Sequence, residues 1–171
     1  PFRRNDGVIV SERDWVQDFP QAAIMGTLSK IGLAGLRVGW LECDPALAAE
    51  FEKVRQPFNL DRLAQRAATF ALEELAPDLE MHLRSIVEER ETLRAALAEL
   101  ELHVWPSDAN FLLVDHERAE LLAEQLRADG IGVRVFAGHP RLAGRMRITV
   151  GTPAENEALL DALRKRLPAL S

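Results

Sequence analysis

The sequence predicts an α/β chain built as two successive parts. Three observations carry this reading. Two short apolar runs flank a Gly-punctuated turn over 22–43, helical periodicity dominates 45–100, and a strand–strand–helix–strand–strand–helix order fills 102–167.

The elements follow in order. AAIMGT at 22–27 is short, apolar and bounded by polar residues, as a buried strand is. A loop from Ile31 to Gly35 leads into LRVGWLEC at 36–43, a second strand. Asp44-Pro45 supplies an N-cap and a first-turn proline for a helix to Val54. Pro57, Phe58 and Asn59 break it, and a second helix runs over Asp61–Leu75. Pro77 and Asp78 separate that helix from a long one over Leu79–Leu100, where Leu79, Leu83, Ile86, Val87, Leu93, Leu97 and Leu100 form one apolar stripe. Strands are then expected at Leu102–Trp105 and Asn110–Asp115, a helix over Glu117–Asp129 stopped by Gly130, strands at Gly132–Phe136 and Arg145–Val150, and a final helix over Pro153–Leu167 capped by Thr152. A compositional shift near Pro77 divides the chain into 1–77 and 78–171, the latter a small α+β lobe. Residues 1–21 read as a surface loop with a short helix at Glu12–Phe19.

Composition narrows the function classes. The 171 residues are 47% hydrophobic, enough for one core or for a piece of a larger domain. The formal charge is −6 and no dense Lys/Arg stripe occurs, which argues against a nucleic-acid partner. No apolar run reaches the roughly 20 residues of a membrane-spanning helix. A single cysteine, Cys43, excludes an internal disulfide and fits a reducing, cytoplasmic setting. His82, His103, His116 and His139 lack metal-ligand spacing, so no metal is expected. The chain begins at Pro1 and contains no tyrosine, which together suggest a piece of a longer protein.

The chemistry concentrates in Gly26–Trp40, GTLSKIGLAGLRVGW. Only 3 of the 21 basic residues are lysines, and Lys53 and Lys165 fall on expected helix surfaces. Lys30 instead follows an apolar strand and enters a loop of small residues, which predicts a partly desolvated amine with a lowered pKa, suited to Schiff-base chemistry. Thr27 and Ser29 offer hydroxyls, Gly32 and Gly35 allow close backbone approach, and Arg37 can grip a phosphate bidentately. An amine for an aldehyde, with hydroxyls and a guanidinium for a phosphate, is the inventory pyridoxal 5'-phosphate requires. By pattern alone the same stretch also reads as a strand–turn–strand with a solvated lysine. Arg134 and Arg147 likewise read as solvated strand residues, Asn110 as a turn bridge and Cys43 as a small buried residue.

TLSKIGLAGLRVGW resembles the lysine loop of fold-type I, pyridoxal-phosphate-dependent aminotransferases, and more narrowly that of histidinol-phosphate aminotransferases, T-x-S-K, a short Gly/Phe segment, L-A-G-L-R, then G-Y. Three further segments are similar to that family and in its order: KVRQPFNLDRLAQ at 53–65, WPSDANFLLV at 105–114 and RMRITVGTPAENEALLDAL at 145–163. The resemblance implies the C-terminal end of a large cofactor-binding α/β domain, followed by a complete small lobe. It implies that Lys30 bonds the cofactor and then acts as general acid/base, that Arg37, Ser29 and Thr27 hold the cofactor phosphate, that Arg147 takes a substrate α-carboxylate and Arg134 a distal phosphate, and that Asn110 supports the substrate region. The activity implied exchanges an amino group between histidinol phosphate and 2-oxoglutarate in a cytoplasmic homodimer, with small-molecule substrates and neither nucleic acid nor membrane as partner. A broad-range or aromatic aminotransferase, a threonine-phosphate decarboxylase and a non-catalytic fragment stay open beside it. Three positions depart from the pattern, with Gly26 where the family carries Arg, and Trp40 and Phe58 where it carries Tyr. Pro1-Phe2 matches the tail of the family's D-E-A-Y-x-P-F segment, so the ring-contacting Asp and Tyr are expected upstream, and the chain alone is expected to be a weak catalyst.

Overall fold

The computed structural model describes Val16 and residues 18–170, so the helix expected at Glu12–Phe19 falls largely outside the described residues. The chain divides into two compact units after His82.

In the first unit, β1 (Ala23–Thr27) pairs antiparallel with β2 (Gly39–Cys43), Gly26 opposite Trp40 and Thr27 opposite Gly39. Two 3-10 turns, Leu28–Ile31 and Ala34–Leu36, join them. The second strand is therefore shorter than the expected 36–43. Leu36 closes a turn, and Arg37, at φ 55°, takes the left-handed conformation that interrupts an extended backbone. α1 (Pro45–Val54) starts as expected, with the Asp44 carboxylate accepting from the Ala46 N–H at 2.8 Å. α2 (Arg62–Glu73) is capped by Asp61, whose carboxylate accepts from the Ala64 N–H, and it buries only the small residues Ala64, Ala68 and Ala71.

The long helix α3 (Ala76–Glu99) begins earlier than expected, because Pro77 lies in its first turn, where a missing N–H costs nothing, rather than between helices. It crosses the division between the units.

The second unit is a four-stranded antiparallel sheet in the order β3 (His103–Val104), β4 (Phe111–Asp115), β6 (Arg145–Thr149), β5 (Arg134–Val135), with α4 (Ala119–Ala128) and α5 (Pro153–Arg166). The two outer strands are two residues long, against the four and five expected, and the short ladders leave little unpaired edge backbone. Leu112, Val114, Met146 and Ile148 alternate onto one sheet face and are at most 2% exposed. They pack with Leu93 and Leu97 of α3, Leu122 and Leu126 of α4, and Leu160 and Leu163 of α5. Each fully buried leucine contributes about 1.5–3 kcal/mol by leaving water. The opposite face presents Phe111, Leu113, Asp115, Arg145 and Arg147.

One buried cation interrupts this apolar packing. Arg90 of α3 is fully buried; its Nη1 donates to the Ala109 carbonyl at 3.2 Å and its Nε to Glu91 Oε1 at 3.1 Å. It therefore fixes the loop before β4, which Ser107 also stitches by donating to the Phe111 carbonyl at 2.6 Å and accepting from the Ala109 N–H.

Candidate functional site

The lysine turn is built around Leu28, which is fully buried and pins the first 3-10 turn. Thr27 caps that turn: its Oγ1 accepts from the Ser29 N–H at 3.1 Å and donates to the Val38 carbonyl at 3.4 Å. Gly32 closes the turn at φ 92°, a left-handed conformation in which a side chain would be strained. Arg37 donates from its Nη1 to the Ala34 carbonyl at 3.2 Å, one of the five N–H groups that a guanidinium carries.

This arrangement brings Thr27, Ser29 and Arg37 onto one cavity of about 750 Å³, which Trp40 and Cys43 also line. Lys30 follows Ser29 in the same turn, but its side chain is exposed and does not line that cavity. The desolvation expected of Lys30 is thus not found. Leu28 takes the buried place in the turn and leaves the lysine on its outer side.

Two departures from the expected motif prove to be one structural unit. Gly26 and Trp40 are directly opposed across the β1–β2 ladder, and a Cβ on residue 26 would run into the Trp40 indole. The indole N–H donates to Glu42 Oε1 at 3.0 Å. The indole as placed requires a residue without a side chain at position 26, a coupling invisible when each position is read alone.

The second cluster is centred on the sheet face opposite Leu112, Val114, Met146 and Ile148. Arg147 of β6 sits opposite Leu113 of β4 on one side and Arg134 of β5 on the other. Directly opposed arginines repel, so the pairing weakens the sheet unless an anion joins them. Arg147 lies over the Phe111 ring at 5.4 Å and Arg134 over Phe136 at 5.6 Å, contacts that steer both guanidinium groups. Among the described residues neither arginine has a hydrogen-bonded or ion-paired carboxylate. Both line a cavity of about 470 Å³ with Thr149 and with Arg127 from the last turn of α4. Arg145, two residues before Arg147, is by contrast neutralised. Its Nε donates to Asp115 Oδ1 at 3.0 Å, the Trp105 indole N–H donates to the same oxygen at 2.9 Å, and Arg145 stacks on that indole.

Asn110 stands at the head of β4, half-buried, with its carbonyl accepting from the Val150 N–H at 3.0 Å, and it lies outside the arginine cavity. Thr27, Ser29 and Arg37 thus share one cavity in the first unit, and Arg134 and Arg147 share one in the second. Two residues escaped the sequence reading. Arg127 resembled an ordinary helix-end cation. Arg90 carried a signal, since it continues the apolar stripe from Ile86 to Leu93 and Leu97 as the one charged residue in that row.

Among the described residues no group of three or more His, Cys, Asp or Glu side chains could hold a metal ion, and no helix is long and apolar enough to cross a membrane.

Residues 4–163 match the family of class I and II aminotransferases, and the chain belongs to that family. It is 41% identical over 157 residues to the histidinol-phosphate aminotransferase of Chromobacterium violaceum, covering 89% of this chain and 43% of that relative. Among solved structures it is similar to histidinol-phosphate aminotransferase from Sinorhizobium meliloti in complex with pyridoxal-5'-phosphate, at 30% identity and a TM-score of 0.78 over 90% of this chain and 43% of that one. It also shares the fold of L-threonine-O-3-phosphate decarboxylase from Porphyromonas gingivalis, at 22% identity and a TM-score of 0.72 over 90% of this chain and 49% of that one. The chain therefore spans under half the length of these relatives, and carries part of the α/β fold of pyridoxal-phosphate-dependent aminotransferases.

Proposed function

We propose that the chain serves pyridoxal-phosphate-dependent transamination with histidinol phosphate and 2-oxoglutarate as substrates, in histidine biosynthesis. The observation that carries this is the convergence of Thr27, Ser29 and Arg37 on one cavity at the turn that carries Lys30, in a chain of the aminotransferase family.

The donor set fits the cofactor's phosphate: two hydroxyls and a guanidinium with uncommitted N–H groups can meet its oxygens by charge-assisted hydrogen bonds. The cofactor, when bound, supplies an aldehyde and an electron-withdrawing ring. In this reading the Lys30 Nζ would hold the cofactor through its aldehyde, and the same amine would serve as the base that takes the proton at the substrate α-carbon. Arg147 holds the α-carboxylate and Arg134 the distal phosphate, a division supported by their shared cavity and by the lack of carboxylate partners among the described residues. Asn110 supports the substrate region from the head of β4, which Arg90 steadies through Ala109. The same reading implies a cytoplasmic homodimer, and weak turnover by these 171 residues alone, since the chain spans 43% of its Chromobacterium relative.

Borohydride reduction after incubation with pyridoxal phosphate tests the lysine assignment. A single pyridoxyl adduct on Lys30, absent in Lys30→Ala, is expected; equal labelling of Lys53 and Lys165 would refute it. Offering histidinol phosphate and phenylalanine as alternative amino donors tests the substrate.

A further inference from the structure

The arginine cavity holds one more cation than a carboxylate and a singly contacted phosphate need. Arg127, Arg134 and Arg147 line it together, and no carboxylate pairs with any of the three among the described residues. Two acidic groups close in sequence to cavity residues, Asp129 and Glu155, are committed elsewhere, and Glu124, one turn before Arg127 on α4, does not line the cavity. Asp129, two residues beyond Arg127, accepts from Arg166 at 2.6 and 2.7 Å and has Lys165 within 3.7 Å. Glu155, at the start of α5, is held by the Thr152 backbone and hydroxyl, both at 2.8 Å. A cation in the last turn of a helix is favoured by the helix dipole, which accounts for a basic residue on α4. It does not account for that residue sharing a cavity with an opposed arginine pair, where each guanidinium raises the electrostatic cost of the others unless an anion is bound.

We propose that Arg127 is a third recognition residue of this cavity, joining Arg134 on a doubly charged phosphate monoester and so selecting phosphorylated substrates over those ending in a neutral or singly charged group. The inference rests on the assignment of Arg134 and Arg147 given above. A monoester near neutral pH carries close to two charges and three acceptor oxygens, which two guanidinium groups can satisfy from different sides. The Arg134 guanidinium is held over Phe136, and Thr149 at the end of β6 lines the same cavity, so Arg127 reaches it from a different element, the last turn of α4.

The probes are inorganic phosphate and acetate, each titrated calorimetrically into the full chain. Every variant carries Arg37→Gln, so that the cavity beside Lys30 contributes nothing. Arg127→Gln is expected to weaken phosphate about tenfold and leave acetate within about twofold, and Arg127→Lys to retain phosphate within about threefold. Undiminished phosphate binding in Arg127→Gln, with Arg134→Gln still weakening it, would overturn the third residue and leave the arginine pair standing. Loss of both anions together with a lowered Tm in Arg127→Gln and Arg127→Lys would make Arg127 structural and overturn the proposal. If Arg134→Gln and Arg147→Gln change neither anion, the underlying assignment fails, and this proposal fails with it.

Discussion

Gly26 and Trp40 show how far one residue's identity depends on its cross-strand partner. Gly26→Ala places a methyl group against the indole and is expected to destabilise the chain by about 1–3 kcal/mol. In a Trp40→Ala background the same change should cost well under 1 kcal/mol, and urea denaturation of the four proteins measures the coupling. Glu91 offers a titration at the same scale. Burial alone raises its carboxyl, but hydrogen bonds from Arg94 and Arg90 outweigh that and hold it below its ordinary 4.5. A depressed carboxyl stabilises the fold fully above its unfolded value and loses that contribution as pH falls through the folded one. Glu91→Gln should therefore flatten the dependence of the urea midpoint on pH below about 4.5, and leave a lower midpoint at pH 7. An unchanged acid limb would show that Arg90 and Arg94 find no benefit in the charge. The Glu91–Arg94 spacing is a local i,i+3 pattern, whereas the Arg90 contact with Ala109 forms only once α3 packs beside the loop before β4.

At the scale of elements, sequence signals did best where chemistry is local. Asp44-Pro45, Asp61 and Thr152 mark helix starts because each cap needs only its own next few residues. The Thr152 cap is a full capping box, with Glu155 reaching back to the Thr152 N–H. Thr152→Ala should cost about 1 kcal/mol by thermal unfolding, and the Glu155 carboxyl, held low first by the Thr152 backbone N–H and then by its hydroxyl, should rise only part of the way toward its ordinary range, because the backbone N–H remains. An NMR titration of Glu155 reads that shift directly. Strand ends were the weak point. The runs at 102–105 and 132–136 are extended by composition, yet only two residues of each stand in register with the five-residue strand beside them, because pairing depends on where the chain meets its neighbour and not on its own composition. Thr27, Ser29 and Arg37 could be picked out together because they share one stretch of fifteen consecutive positions, 26–40. Arg127 was not, because nothing in LRADG says which cavity the helix end will border.

Across the whole molecule, burial is uneven. The large apolar core belongs to the second unit, whereas the first buries Leu28 and three alanines and exposes Met25, Val54, Phe58 and Leu63 by 80% or more. Hydrogen exchange should follow that division. Amides of β4, β6 and α5 are expected to exchange slowest, and those of β1, β2 and α2 at least about tenfold faster under native conditions. Uniform protection across both units would contradict the uneven core.

Arg37 sets backbone strain against the phosphate-holding role proposed for it. Its backbone, at φ 55°, is one that glycine adopts freely and an arginine adopts at a cost of about 1 kcal/mol. Random mutants screened for heat resistance alone should therefore enrich Arg37→Gly, discarding the guanidinium beside Thr27 and Ser29, whereas a screen that also demands retention on a phosphate-bearing resin should keep the arginine.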